Sequence, residues 1–333
     1  MTGSLVDSFG RVITYLRISV TDVCNLRCVY CMPEFQTTFL PTENVLTREE
    51  IVRLAALLVS RGVRKIRLTG GEPLARADIV EIARDVKALG LPSGLAISTN
   101  GVLLPRYAEA LLAAGVDRVN VSLDGVDAEH FRKMARRDHV DAVLRGFELA
   151  ASLPFAHVKV NSVIIRGLND DQILPLAGFA RDRRIAVRFI EFMPYGDNAW
   201  TPEQYMPIAE IRARLESELR LTPIVRGSEA GPAEEYAIEG YEGTVGFISP
   251  ISDRFCASCN RMRLSCEGQL KACLFSTGQV DLRTPMRGGA SDADLLAIVE
   301  DAVRRKEERH PMFPEMVPGR LALPTRNMNS IGG

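Results

Sequence analysis

No apolar run among the 333 residues reaches the roughly 18 needed to span a membrane, and Met1 to Phe9 carries neither a basic residue nor an apolar signal core. The chain is therefore expected to work in the cytoplasm. No charge of either sign dominates. Its 41 Lys and Arg stand against 42 Asp and Glu, which excludes the global field of a nucleic-acid or membrane-surface binder and makes any anion site local. The four histidines, His130, His139, His157 and His310, form no metal constellation. With 46% hydrophobic residues the chain can still bury a sizeable core, as one large barrel with an extension or as two domains.

Seven cysteines, an odd number bunched in two groups, fit a reducing compartment and metal-holding thiolates better than a disulfide framework. Cys24, Cys28 and Cys31 lie in a C-x3-C-x2-C pattern directly after the strand-like Tyr15–Val20, so one loop can turn three sulfurs toward one point. A tetrahedral zinc site would stay incomplete there. An iron–sulfur cluster on three cysteines would instead leave one iron open to a ligand. The second group gives C-x2-C-x13-C through Cys256, Cys259 and Cys273, with Cys266 between them. Spacing alone leaves two readings open for this group: a second three-cysteine cluster, or a structural zinc with Cys266 as fourth thiolate.

From Tyr15 to Met193, β-like runs near 15–20, 64–69, 94–98, 117–122, 157–164 and 185–192 alternate with helical stretches near 47–61, 75–89, 103–114, 138–152 and 169–183. Gly62, Gly90 and Gly115 read as helix stops, and Thr47 as an N-cap for Glu50. The expected fold is α/β: an incomplete (βα)6 TIM-type barrel over 1–194, with a C-terminal α+β extension over 195–333 closing the barrel mouth. That extension should hold a helix near 207–219 and strands near 234–238 and 244–248. Parallel barrels carry their reactive groups at the C-terminal strand ends. Here those ends are polar: Leu68–Pro73, Ser98–Gly101, Asn120–Gly125 and Phe189–Pro194, while Lys159 and Asn161 share a face of the fifth strand. The paired Gly70 and Gly71 suggest a close backbone approach to a ligand.

The first cysteine motif, with Tyr30 before its third thiol, resembles the radical S-adenosylmethionine (SAM) superfamily. Together with Leu68–Pro73, the Phe255–Arg263 segment, Cys273 and the terminal Ile331-Gly332-Gly333, it resembles the GTP 3′,8-cyclase family over nearly the whole chain. That resemblance implies a lyase converting GTP to (8S)-3′,8-cyclo-7,8-dihydroguanosine 5′-triphosphate, the first step of molybdenum cofactor biosynthesis. A cluster on Cys24, Cys28 and Cys31 would cleave SAM to an adenosyl radical that takes the ribose 3′ hydrogen, and the carbon radical would attack guanine C8.

By the same resemblance, a second 4Fe–4S cluster on Cys256, Cys259 and Cys273 binds guanine through its free iron, which leaves Cys266 as a small apolar residue on a hairpin strand turning at Glu267-Gly268. Tyr30, Gly71, Ser122 and Met193 would contact SAM. Arg17, Arg67, Ser98, Lys159, Arg261, Met262 and Arg263 would contact GTP, with Asn161 and Arg188 as additions. Arginine forks and a lysine charge suit a triphosphate. Alternation along the strand nevertheless sets Met262 with Leu264, opposite Arg261 and Arg263. Arg261 and Arg263 join the first cysteine trio as the catalytic set, and the Gly332-Gly333 tail would reach the site. Implied partners are a flavodoxin- or ferredoxin-like electron donor, the downstream cyclic pyranopterin monophosphate synthase and a second copy of the chain. A radical SAM peptide-modifying enzyme with an auxiliary cluster, and a zinc-stabilised binding or electron-transfer module, are the rival readings.

Overall fold

The structure, a computed structural model, describes residues 3–36, 38–196, 198–225, 231–253, 255–276, 278–310 and 327–331. Its first six strands are β1 (Tyr15–Ser19), β2 (Lys65–Thr69), β3 (Leu95–Thr99), β4 (Arg118–Ser122), β5 (His157–Ile164) and β6 (Ala186–Glu191). Six more follow: β7 (Leu221–Pro223), β8 (Glu234–Ile238), β9 (Thr244–Ile248), β10 (Arg261–Leu264), β11 (Gln269–Lys271) and β12 (Val280–Asp281). The helices are α1 (Arg48–Ser60), α2 (Ile79–Ala88), α3 (Leu104–Ala113), α4 (Ala128–Ala135), α5 (Val140–Ser152), α6 (Ile173–Ala177), α7 (Ile208–Glu216), α8 (Arg283–Arg287), α9 (Asp292–Arg304) and α10 (Met328–Ile331).

β1 to β6 run parallel and in sequence order, each returning through helical chain that covers the outer face. These strands alternate, with most apolar residues outward and most polar ones inward, although Val163 of β5 and Ile190 of β6 also reach the inner face. Leu16 and Ile18, Ile66 and Leu68, and Val119 and Val121 join the core, whereas Arg17, Arg67, Asn120 and Ser122 line a cavity. A closed barrel of this type packs its interior with branched side chains. This open one keeps its inner face mostly polar and hollow.

The helices cover that core through local signals. α1 begins with a full capping box between Thr47 and Glu50 and buries Ile51, Leu54, Ala55 and Leu58, spaced as one helical face. Gly62, Gly90 and Gly115 end their helices at positive φ (97°, 73° and 86°), a conformation that favours glycine. The long helix expected over 169–183 is broken into a 3-10 turn at Asp170–Gln172, α6, and another 3-10 turn at Gly178–Ala180. Pro175 removes a backbone donor and Gly178 weakens the continuation. α4 was not expected at all. Its N-cap is Asp127, which accepts from the amides of Glu129 and His130.

The C-terminal extension does more than cover the mouth. β9 joins the open edge of β6 in parallel and carries β8 and β7, while β10 joins the other edge beside β1 and carries β11 and β12. One sheet of twelve described strands results, in the order β12-β11-β10-β1-β2-β3-β4-β5-β6-β9-β8-β7. Parallel pairing of β10 with β1 sets Arg261 beside Tyr15 and Arg263 beside Arg17. This brings the second cysteine region onto the same inner face as the first.

Candidate active site

The polar inner face encloses a cavity of about 790 Å³, and both cysteine trios lie on its wall: Cys24, Cys28 and Cys31, and Cys256, Cys259 and Cys273. All seven cysteines are free thiols. Among the described residues, no group of three or more His, Cys, Asp or Glu side chains is arranged to hold a single metal ion.

The first trio sits on a loop held from two sides. The amides of Arg27 and Val29 donate to the carbonyls of Ala135 (3.0 Å) and Met134 (2.9 Å) at the C-terminal end of α4. Those carbonyls would otherwise lack intrahelical partners. From the other side, the Gly71 amide donates to Thr21 O at 2.7 Å and the Glu72 amide to Val23 O at 2.8 Å. A Cβ at Gly71 would lie 2.5 Å from Val23 O, and one at Gly70 2.6 Å from Thr21 O. The glycine pair thus permits a close backbone approach to the base of the cysteine loop. Both glycines also line the cavity, on the side where the sequence suggested a close approach to a ligand. Burial pushes the Cys24 thiol up to about 11 and also raises Cys28 and Cys31 well above the ordinary thiol range. Such thiols coordinate once a cation replaces the proton.

The second trio is built differently. Burial raises Cys259, but the charges of Arg261 and Lys306 outweigh it and bring the thiol down to about 6. The Cys256 carbonyl accepts from Arg11 Nη1 at 2.8 Å, and Arg11 is itself held by Asp7. β10 and β11 pair Arg263 with Lys271 and Leu264 with Leu270, leaving a three-residue loop, Cys266 to Gly268, with Gly268 at φ +83°. Continuing that register sets Cys273 across from Arg261, on the arginine face, a point the sequence left open. Cys266 lies in the loop and not on a strand as expected. It is fully buried beside Ser19 and Asp22 and off the cavity wall. The fourth thiolate that a zinc site would require therefore faces elsewhere. Each trio offers three cavity-facing thiols, the donor set of an iron–sulfur cluster with one open iron.

Cations fill the space between the trios. Register aligns Arg263, Arg17 and Arg67 across β10, β1 and β2, and Arg261, Tyr15 and Lys65 one step earlier. Arg67 donates through Nε to Tyr15 Oη and through Nη1 to Ser98 Oγ at 2.7 Å. The field is strong enough that Tyr15, which burial alone would raise, is lowered to about 7 by Arg67, Arg17 and Lys65. Lys159, Asn161 and Arg188 continue the lining on β5 and β6. Met262 requires a correction. Its side chain is fully buried in the core, on the outer face of β10, because strand alternation turns it away from Arg261 and Arg263.

Tyr30, Ser122 and Met193 line the cavity near the first trio. Tyr30 Oη donates to Asp124 at 2.8 Å, and Asn198 Nδ2 donates to the carbonyls of both Tyr30 (3.2 Å) and Met193 (2.8 Å), tying these two walls together. Sequence reasoning missed Lys65, Arg118 and Asn120. Lys65 stands two residues from Arg67, and Asn120 and Arg118 stand two and four residues from Ser122, each on the same strand face, so period-two alternation could have found them. Asn198, Glu235 and Lys306 had no such signal. The Gly332-Gly333 tail lies outside the described residues. The helix preceding it, α10, docks its Met328 amide on Cys31 O at 3.1 Å.

Comparison with known proteins joins these parts. Residues 18–180 match the radical SAM superfamily, and residues 185–312 match the family described as Molybdenum Cofactor Synthesis C. The GTP 3′,8-cyclase of Heliobacterium modesticaldum is 45% identical over 99% of this chain and 100% of its own length. The chain belongs to the GTP 3′,8-cyclase family. A mitochondrial GTP 3′,8-cyclase from Arabidopsis thaliana is 44% identical over 92% of this chain and 78% of that protein. A Listeria monocytogenes GTP 3′,8-cyclase is 43% identical over 99% of both. Among solved structures, Streptococcus suis SuiB bound to S-adenosylmethionine superposes with a TM-score of 0.55 at 16% identity, covering 82% of this chain and 61% of that one. It shares the fold. As members of the radical SAM superfamily, GTP 3′,8-cyclases use SAM with an iron–sulfur cluster. Among the described residues no helix is long and apolar enough to cross a membrane.

Proposed function

We propose that this protein converts GTP to (8S)-3′,8-cyclo-7,8-dihydroguanosine 5′-triphosphate, the first step of molybdenum cofactor biosynthesis, and that it does so with two 4Fe–4S clusters. The observation that carries this reading is a single cavity walled by two separate cysteine trios with a cationic cradle between them. In this reading Cys24, Cys28 and Cys31 hold one cluster and Cys256, Cys259 and Cys273 the other. When bound, the first cluster supplies the electron that cleaves SAM to an adenosyl radical.

The chain's own residues bind, orient and exclude. Tyr30, Gly71, Ser122 and Met193 form the SAM wall beside the first trio. Arg17, Arg67, Lys159, Arg261 and Arg263 hold the triphosphate and orient the nucleotide, with Ser98 as a hydroxyl partner fixed by Arg67. Asn161 and Arg188 extend that cradle. A rigid cavity matters because a mis-set radical would attack the protein, and holding both ligands in one geometry also supplies rate. The reading carries over a reducing cytoplasmic location, a flavodoxin- or ferredoxin-like donor, delivery of product to cyclic pyranopterin monophosphate synthase, and a homodimer.

Anaerobic incubation with SAM, GTP and a reductant, followed by mass analysis of nucleoside products, tests the proposal. Formation of 5′-deoxyadenosine together with the cyclised nucleotide supports it. SAM cleavage with GTP returned unchanged would overturn the assigned substrate.

A further inference from the structure

Glu235 is a carboxylate on a stretch of cavity wall that also carries Lys159 and Arg188. It lies on β8 opposite Gly246 of β9, which in turn lies opposite Arg188 of β6, so the three residues form one row across three adjacent strands. Gly246 brings no side chain to that row. A Cβ there would stand 3.3 Å from Arg188 Cγ, tighter than ordinary contact. The Arg188 side chain therefore lies over β9, and its Nη2 donates to Glu235 Oε1. The same oxygen is 3.6 Å from Lys159 Nζ. Arg188 and Lys159 are only 11% and 17% exposed and Glu235 is 30% exposed, so the group is shielded but opens toward the cavity.

One carboxylate thus pairs with two cations at the β5–β6 end of the pocket, and among the described residues no other carboxylate forms an ion pair with either. A polyphosphate binding to Lys159 and Arg188 needs the same donors that Glu235 uses. Both cannot be held at full strength. We infer that Glu235 is a built-in counter-ion that occupies the polyphosphate end of the pocket in the free enzyme and is displaced when the substrate's phosphates arrive. This rests on the GTP reading above. Its consequence is a charge threshold: a ligand must bring enough negative charge to take both cations from Glu235, which protects the cradle from small ambient anions. The observed affinity of a polyphosphate is lowered by the fraction of enzyme in which Glu235 still holds the pair.

The alternative is that Glu235 merely props Arg188 in its binding position. The two roles predict opposite signs. Anaerobically prepared holoenzyme, as wild type, Glu235→Gln and Glu235→Asp, would be titrated calorimetrically with inorganic tripolyphosphate, GTP and guanosine. Displacement predicts that Glu235→Gln binds tripolyphosphate and GTP about tenfold more tightly, leaves guanosine unchanged, and loses most of this gain at high salt. Glu235→Asp, which keeps the charge, stays near wild type and controls for folding. Equal or weaker tripolyphosphate binding by Glu235→Gln overturns the counter-ion role while leaving the GTP site standing. A wild type that takes up neither tripolyphosphate nor GTP would overturn both.

Discussion

Lys306 donates from Nζ to Cys259 Sγ at 3.5 Å, and to the carbonyl oxygens of Arg261 at 2.9 Å and Ala272 at 2.8 Å. Its ammonium is almost fully buried, and each of its three protons meets an acceptor from a different part of the second cysteine region. One side chain therefore joins the Cys259 turn, the start of β10 and the segment leading to Cys273. Removing the cation takes a donor from two carbonyls and leaves the Cys259 sulfur with Arg261 alone. Lys306→Met is expected to cost about 3 kcal/mol of stability, the range for breaking a buried charge pair. It should also reduce iron from about eight to about four per chain after anaerobic reconstitution. Thermal unfolding and iron analysis would check both, and full iron with unchanged unfolding would refute the bridging role.

Cys266 and Cys273 should behave asymmetrically. Cys273 faces the cavity with the arginines, whereas Cys266 is buried beside Ser19 and Asp22. Cys266→Ser should keep both clusters and the cyclase activity at a stability cost of about 1 kcal/mol. Cys273→Ser should lose the second cluster while SAM is still cleaved. Side-by-side iron content and SAM cleavage decide it, and matching losses would restore the zinc reading.

These assignments show where the sequence was legible. The six parallel strands and most helices could be read because each carries its own period, its cap or its glycine stop, as Thr47 and Gly62 illustrate. α4 could not. Only Phe131, Met134 and Ala135 of its eight residues are buried, too short a stripe to register as a face, yet its terminal carbonyls hold the cysteine loop. The pairing of β10 with β1 joins residues some 246 apart, as in the Asn260 to Thr14 hydrogen bond, and no local pattern encodes it. Individual site residues were legible where alternation alone decided their direction, as with Arg261 against Met262. Glu235 was hidden, because its partners Arg188 and Lys159 stand on distant strands.

Met262 and Arg263 are neighbours in sequence and opposite in effect. Met262→Ala should cost about 2–5 kcal/mol of stability through a core cavity, with GTP affinity of the folded protein unchanged. Arg263→Ala should weaken GTP by about 1.5–3 kcal/mol, the range for hydrogen bonds to a charged group, and leave SAM binding intact. Denaturation curves and calorimetry on both variants separate the roles. A large loss of affinity in Met262→Ala without loss of stability would contradict the placement of its side chain in the core.

Gly71→Ala tests the contact beneath the first trio. The added methyl would meet the carbonyls of Val23 and Asp22 at 2.5 and 2.6 Å, and neither is a flexible side-chain end. The cysteine loop must shift. SAM binding and iron at the first trio should fall by at least tenfold, with the second cluster retained, as read by calorimetry and iron analysis. Gly178→Ala, where a Cβ meets nothing within 4 Å, serves as the control. Equal behaviour of the two variants would mean that the loop tolerates the methyl.

Lys159 provides a pH test. Burial, with repulsion from Arg188 next, lowers its ammonium from the ordinary 10.5 to about 8. A bound phosphate would stabilise the protonated form and raise that value again. The sign for binding follows: GTP affinity is full below about pH 8 and declines as pH rises through it, by up to about tenfold per unit until the pKa of the complex is reached. The sign for folding is opposite. The folded protein holds fewer protons than the unfolded chain between about 8 and 10.5, so this residue's contribution to stability increases with pH over that window. Calorimetric GTP titrations from about pH 7 to about pH 9.5 should show the decline in the wild type. They should show it flattened in Lys159→Arg, whose guanidinium stays charged throughout. A decline of the same steepness in Lys159→Arg would assign the titration to another group and remove Lys159 from the phosphate cradle.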